Sequence, residues 1–352
     1  MGATVVLGIS DPHWHSRRPS KRRDHDWMGT QRRKIQDLLT VAQKIKVNGT
    51  VGASAIQIAG DLFHVPEAER ISRSLDMMLI TELKKSPCPI LTIPGNHDMQ
   101  AERLESLNRH PYGILCNTNI ITDVSWPNYL LVGEDPQVIV TGYPYTPDGP
   151  AAWLNMLTTS RDLTRLKDQL SQKSGKRVWA SVMTHNHWGE QHGYDAKHIH
   201  RTGKYLLLGT GIDVCHYGDP HTFDGVEWLE DGTHRTALVG PGAFIRGTLA
   251  EHDINRQPCF SVFRFFDDRC EIEMVPIPHE PSDQVFNLER HVAEKKRAEY
   301  QSKFMDTIHH LHEKTTDQSV ASMIELASNQ DGIRPGVLAL VDKYLRQVDD
   351  TE

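Results

Sequence analysis

Five short polar clusters hold the residues of this chain that could do chemistry, and each follows an apolar run. Asp11-Pro12-His13 comes directly after residues 3–9, and four more clusters repeat the arrangement: Gly60-Asp61-Leu62-Phe63-His64, Gly95-Asn96-His97-Asp98, Thr184-His185-Asn186-His187 and Gly218-Asp219-Pro220-His221. One strand end carrying Asp and His is common. Five in one chain imply a shared site. Carboxylate and amide oxygens mixed with imidazole nitrogens suit Mn²⁺, Fe²⁺ or Zn²⁺, and a bridging carboxylate can hold two such ions a few ångströms apart. Taken alone, an Asp-x-His is as well explained by a turn or a helix cap. Gly95-Asn96-His97-Asp98 is more specific, because it places three functional side chains in a row: Asn supplies a neutral oxygen, His a ring nitrogen, and Asp can orient that ring.

These clusters need a frame that brings strand ends together. Residues 3–9, 55–59 and 90–94 read as buried strands, with helical spacing between them at Ile35, Leu38, Leu39, Ala42 and Ile45, and again at Ile71, Leu75, Met78, Leu79 and Leu83. This β-α-β-α-β rhythm predicts parallel strands with helices on their faces. In such sheets, function gathers beyond the carboxyl ends of the strands, where the clusters lie. Residues 120–121, 130–132 and 138–140 are expected in a second sheet, 150–175 as a helix, and 178–183 as another buried strand. Residues 226–229, 236–239 and 260–266 read as a run of antiparallel strands, which 271–275 finishes. The expected fold is therefore α/β, a four-layer α/β/β/α sandwich over residues 1–280. Pro276, Pro278 and Pro281 punctuate a linker into a charged helical tail, 281–352, whose weak apolar faces include Phe304, Ile308 and Leu311 and suit either packing or a partner chain.

Composition sets bounds on function. The 352 residues carry a net charge of -7, so any contact with nucleic acid must come from local basic patches. One such patch is the loop Arg17-Arg18-Pro19-Ser20-Lys21-Arg22-Arg23, in which Arg17, Arg18, Lys21, Arg22 and Arg23 are candidate phosphate-backbone contacts. Trp14 and Trp27 flank the loop and could equally be core. Five scattered Cys with no C-x-x-C pair point to reduced thiols and a cytoplasmic setting, and exclude a Cys-based zinc site. The chain opens on a strand without a basic leader, so export is not expected, and no apolar run suits a membrane span. A homodimer is left open.

The ordered clusters resemble the calcineurin-like metallophosphoesterase superfamily, whose pattern is Asp-x-His, Gly-Asp, Gly-Asn-His-Asp/Glu, a lone His and Gly-His-x-His; the match spans residues 5–221. The resemblance implies two divalent metal ions. Asp11, His13, Asp61 and His221 would hold one, while Asp61, Asn96, His185 and Asp219 would hold the other. His97 would approach the scissile phosphate as general acid or charge stabiliser, with Asp98 fixing its ring. The chain departs from the pattern at Asp219, which stands where the family has a His. A carboxylate there favours a harder ion, Mn²⁺ or Mg²⁺, and the alternative is that His216 reaches in instead.

Within the superfamily, Gly60–His64 resembles the signature of SbcD-type DNA repair nucleases, which implies that His64 stands by the substrate phosphate. Residues 239–246, ending in Arg246, resemble a proline-glycine strand of the same enzymes. The resemblance implies DNA exo- or endonuclease activity in repair, recombination or end processing. It also implies a tail that docks an SbcC-type coiled-coil ATPase. Two alternatives stand beside it: a phosphatase or phosphodiesterase acting on small esters or phosphoproteins, and a binding scaffold with a decayed site.

Overall fold

The computed structural model describes residues 2–147, 151–186, 188, 203–289, 292–293 and 296–303. The chain divides into two compact units, Met1–Phe286 and Asn287–Glu352. Contact thus changes at 286/287 rather than at 280, because Phe286 is fully buried in the first unit and bridges to Arg22. In the second unit, residues 296–303 are helical, and the tail positions from Phe304 onward lie outside the described residues. No helix among the described residues is long and apolar enough to cross a membrane.

Among the described residues the first unit has fourteen strands: β1 (Thr4–Ile9), β2 (Lys46–Val47), β3 (Thr50–Val51), β4 (Ala55–Ala59), β5 (Ile90–Ile93), β6 (Thr122–Asp123), β7 (Leu130–Val132), β8 (Gln137–Tyr143), β9 (Val178–His185), β10 (Val214–Gly218), β11 (Gly225–Glu230), β12 (Arg235–Gly240), β13 (Cys259–Phe265) and β14 (Cys270–Pro276). Its five longer helices are α1 (Trp27–Lys44), α2 (Arg73–Leu83), α3 (Pro111–Asn117), α4 (Ala151–Ser160) and α5 (Asp162–Ser174). One six-stranded sheet has the order β14-β13-β1-β4-β5-β6, a second β11-β12-β10-β9-β8-β7, and β2 and β3 form a separate hairpin.

Side-chain alternation along β1 explains the layering. Val5, Leu7 and Ile9 face α1 and α2 in one core cluster. Val6 faces the other way and joins Val140, Met183, Val214 and Val239 of the second sheet in the cluster between the sheets. A third cluster packs Leu154, Leu157 and Leu163 against the outer face of the second sheet. The result is the expected α/β/β/α sandwich.

Four expectations change in detail. The expected antiparallel run is divided between the sheets: the hairpin β13–β14 joins the first, antiparallel to β1, while β11 and β12 lie in the second. Within the second sheet, β12 runs parallel to β10, and the edge strands β11 and β7 run antiparallel to their neighbours. Residues 120–121 precede β6, which pairs with β5 in the first sheet. The expected helix over 150–175 is two helices, broken where Arg161 takes a left-handed φ of 53°.

Candidate metal centre

Central parallel strands of both sheets end on one rim, and their loops are joined there by main-chain bonds. His13 N donates to Asp61 O at 3.0 Å and Trp14 N to Leu62 O at 2.8 Å, so the loops after β1 and β4 are drawn together. Asp11, His13, Asp61 and Asp219 all take left-handed φ, at 47°, 45°, 49° and 88°. Non-glycine residues hold that conformation at a cost and persist where the surroundings fix them, as at functional sites. Glycines admit the close approaches. A Cβ on Gly60 (φ +84°) would lie 2.3 Å from His185 Nδ1, and one on Gly95 would lie 2.1 Å from Asp61 Oδ1.

Asp11, His13, Asp61 and His221 offer one ligand atom each within 4.8 Å of one another. His13 Nε2 lies 2.8 Å from His221 Nε2 and 3.5 Å from Asp61 Oδ2. The other oxygen of Asp61 turns to a second group: Oδ1 is 3.3 Å from His185 Nε2, which lies 3.2 Å from Asn96 Oδ1 and 4.0 Å from Asp219 Oδ1. Asp61 comes from the first sheet and His185 from the second, so the site spans the seam of the sandwich.

The donor set fits cations. Asp11 Oδ2 is buried without a hydrogen-bond partner, while Oδ1 accepts from Asp219 N at 2.9 Å. His185 Nδ1 lies 2.8 Å from the Ala59 carbonyl, which can only accept, so Nδ1 carries the proton and Nε2 faces the carboxylates. Burial alone would depress the His185 imidazole, yet Asp61, Asp11 and Asp219 hold it well above its usual pKa. Burial likewise opposes ionisation of Asp61, but His185 and His13 keep it far below the carboxylate range. Three converging carboxylates thus demand positive charge at this spot. Burial raises Asp11 as well, and lowers His13 so far that it remains a neutral nitrogen donor.

Asp98 does different work from that expected. Its carboxylate accepts from Leu62 N, Phe63 N and Gly95 N at 3.1, 2.9 and 3.0 Å, so it ties the loops after β4 and β5 together. Burial and the neighbouring Asp61 push its carboxyl up to about 7 against those three amides. The ring of His97 is anchored instead by the main-chain carbonyl of His64, 2.7 Å from Nδ1. His64 stacks on His97 with centroids 5.8 Å apart and meets the edge of His13 at 5.4 Å. Its edge is exposed, yet burial of the rest and the adjacent His15 and His97 rings hold its pKa near about 4.

His216 is remote from this cluster: fully buried, it packs against Phe263 at 5.6 Å, both ring nitrogens lack partners, and burial lowers it to about 3. Of the two alternatives for the family's missing His, Asp219 is the one that lies beside His185. His187 lies outside the described residues.

The basic loop is less free than its composition suggests. Arg22 is buried, pairs with Asp24 through Nε at 2.7 Å and Nη2 at 2.9 Å, donates to the Arg246 carbonyl, and stacks over Trp27. Its burial and these bonds make it a structural cation. Arg246 is buried too, bonded to the Ile254 and Glu280 carbonyls and Ser282 Oγ. Arg17, Arg18 and Arg23 remain exposed, although Arg18 bonds the Asp24 carbonyl and Arg23 that of Asp283, and Lys21 is half-buried. Trp14 and Trp27 are core.

Two residues at the mouth escaped the sequence reading. His15 stands 4.8 Å from the His64 ring, and Tyr145 stands 6.4 Å from His185. Tyr145 follows β8 as the ligands follow their own strands, so the strand-end rule would have found it. His15 was hidden behind the shorter Asp-x-His pattern.

A seam-spanning, carboxylate-rich site with imidazoles on one rim of an α/β/β/α sandwich defines a metal-dependent phosphoester hydrolase. Residues 4–223, more than half of the chain, match the calcineurin-like phosphoesterase (Metallophos) model, and the chain belongs to that family. No curated protein matches the chain.

Proposed function

We propose that this metallophosphoesterase is a DNA-cleaving phosphodiesterase of the SbcD type. The observation that carries the reading is His64: the added histidine of the Gly60–His64 segment lies against both His13 and His97 at the mouth of the site. A small ester needs no group beyond those around its one phosphate, whereas a strand offers atoms on both sides of the scissile bond.

Asp61, with one oxygen toward each group, would be shared by two ions. Asp11, His13 and His221 would complete one set, and Asn96, His185 and Asp219 the other. Bound there, divalent cations would polarise a phosphoryl oxygen and acidify a water. Asp219 in place of an imidazole favours a hard ion, and Mn²⁺ is proposed over Zn²⁺ or Fe²⁺. His97, held through Nδ1, presents Nε2 to the departing oxygen as proton donor or charge stabiliser. Asp98 keeps the loops that carry Asp61 and His97 in register.

The separate unit Asn287–Glu352 is the proposed docking segment for an SbcC-type ATPase, and the five free cysteines suit a reducing, cytoplasmic setting. The competing reading, a phosphatase of small esters, draws on the loss of Arg22 from the basic surface. Incubation with Mn²⁺ and linear duplex DNA separates the two. Nucleotide release abolished by chelation and by His97→Ala supports the nuclease. Hydrolysis of p-nitrophenyl phosphate with DNA left intact, with and without an ATPase partner, would leave the phosphatase.

A further inference from the structure

Five imidazoles form a continuous ladder from the metal centre to the surface. His221 meets His13 at 4.7 Å, His13 meets His97 at 5.0 Å and His64 at 5.4 Å, and His64 meets His15 at 4.8 Å. The inner rungs have roles above, but His15 has none. Its main chain is nonetheless fixed with unusual care. His15 N donates to Gln31 Oε1 at 2.8 Å, and its carbonyl accepts from Gln31 Nε2 at 3.0 Å and Trp27 Nε1 at 2.9 Å. Gln31 is fully buried, so α1 grips both sides of one peptide and holds His15 rigidly over the mouth.

Cations stand beside this outer rung. Ser16 Oγ accepts from Ser72 N at 2.7 Å, which joins the segment carrying Arg17 to the one carrying Arg70. Both guanidiniums are exposed. Arg70 pairs with Glu67 through Nη1 at 3.1 Å. Imidazoles with exposed guanidiniums on the adjoining segments make a donor-rich, cationic surface beside the metal centre. Its chemistry suits an anion with oxygens in several directions, which is a phosphate.

We propose that His15, Arg17 and Arg70 form a subsite for the phosphate that flanks the scissile one in the substrate strand. The proposal rests on the phosphodiesterase reading and deepens it. His64 lies between the two phosphates, the reacting group sits over the metal centre, and its neighbour is held by His15 and the two arginines. The subsite would select polynucleotides over isolated esters and give binding a dependence on salt.

The test uses two classes of inhibitor on the Mn²⁺-loaded full chain, with a chromogenic phosphoester as the reporter substrate. Thymidine 3′,5′-bisphosphate can place one phosphate at the metals and the other in the subsite. Either thymidine monophosphate fills the metals alone. The bisphosphate is expected to inhibit about tenfold more tightly than the better monophosphate, in line with one additional charged hydrogen-bonding contact. His15→Ala and the pair Arg17→Ala with Arg70→Ala should each collapse that ratio toward one. A purely structural role for these residues would weaken both inhibitors together and keep the ratio. A bisphosphate no tighter than the monophosphate, or a ratio that survives the substitutions, overturns the proposal. The readout needs no DNA cleavage, so intact DNA beside a preserved inhibitor ratio would sink the nuclease reading alone.

Discussion

The imidazole of His97 is tied through Nδ1 to the main-chain carbonyl of His64, 2.7 Å away. A carbonyl can only accept, so the proton sits on Nδ1 and Nε2 is the nitrogen left for substrate. His97→Ala should lower kcat by about 10²–10⁴-fold, the usual worth of a positioned acid–base group. His64→Ala keeps the carbonyl and hence the anchor, so it should act mainly through KM. Steady-state kinetics beside a metal analysis of each variant checks this. A His64→Ala variant with the full kcat defect of His97→Ala would refute the division of labour.

The two oxygens of Asp61 face different ligand groups, His13 at 3.5 Å and His185 at 3.3 Å. Ligands that bind only the folded state raise its stability, by about 2.7 kcal/mol at one hundred times Kd. Mn²⁺ should therefore raise the thermal midpoint by several degrees, roughly 2–4 °C per kcal/mol for a chain of this class. Asp61→Asn should abolish that rise and the activity together. Thermal scans with Mn²⁺ and with chelator give the answer, and an undiminished rise in the variant would remove Asp61 from the centre.

The candidate ligands were legible because chemistry forces their type and topology forces their place. Asp11, Asp61, Asn96, His185 and His221 each stand at or just beyond the end of a strand, and Gly60, Gly95 and Gly218 lie beside them because a Cβ would intrude on His185 or Asp61. Partners chosen by distant main chain were not legible. Asp98 looked like an orienter of His97 because it is adjacent in sequence, but three amides from two loops claim it. The hairpin β13–β14 looked like part of one run with β11 and β12 because strands that follow one another usually pair, and it crosses to β1 instead. Arg22 looked like surface because its neighbours are basic, and only the fold brings Phe286 and the Arg246 carbonyl to it.

His216 has no partner for either nitrogen, and burial drops its pKa to about 3 from an ordinary 6.5. With the folded value depressed, protons bind the unfolded chain more readily. The stabilising contribution is therefore whole above pH 6.5 and is lost as pH falls toward 3. Between pH 7 and pH 5 the loss from this one ring is about 2 kcal/mol. His216→Leu removes it, while every other group titrates alike in both proteins. Denaturant midpoints at the two pH values should show a smaller acid loss in the variant. Equal losses would mean that His216 is hydrated or paired in solution.

Arg22 and Arg17 lie five positions apart in one basic loop and should respond to substitution in opposite ways. Arg22 is buried against Trp27 and Phe286, with Asp24 on two of its nitrogens. That pairing holds the Asp24 carboxyl below its usual value although burial opposes it. Arg22→Ala leaves Asp24 half-buried without its main counter-charge and removes the link to the Arg246 carbonyl. A loss of about 3 kcal/mol is expected, the scale of breaking a buried pair. Arg17 is exposed, so Arg17→Ala should change stability by less than about 0.5 kcal/mol. It should instead weaken DNA binding and flatten its salt dependence by roughly one counter-ion. Urea titrations and DNA affinity at two salt concentrations, run on both variants, set the two roles apart. An Arg22→Ala protein with an unchanged midpoint and impaired DNA binding would return Arg22 to the nucleic-acid surface, and the stapling of this loop to Phe286 would lose its meaning.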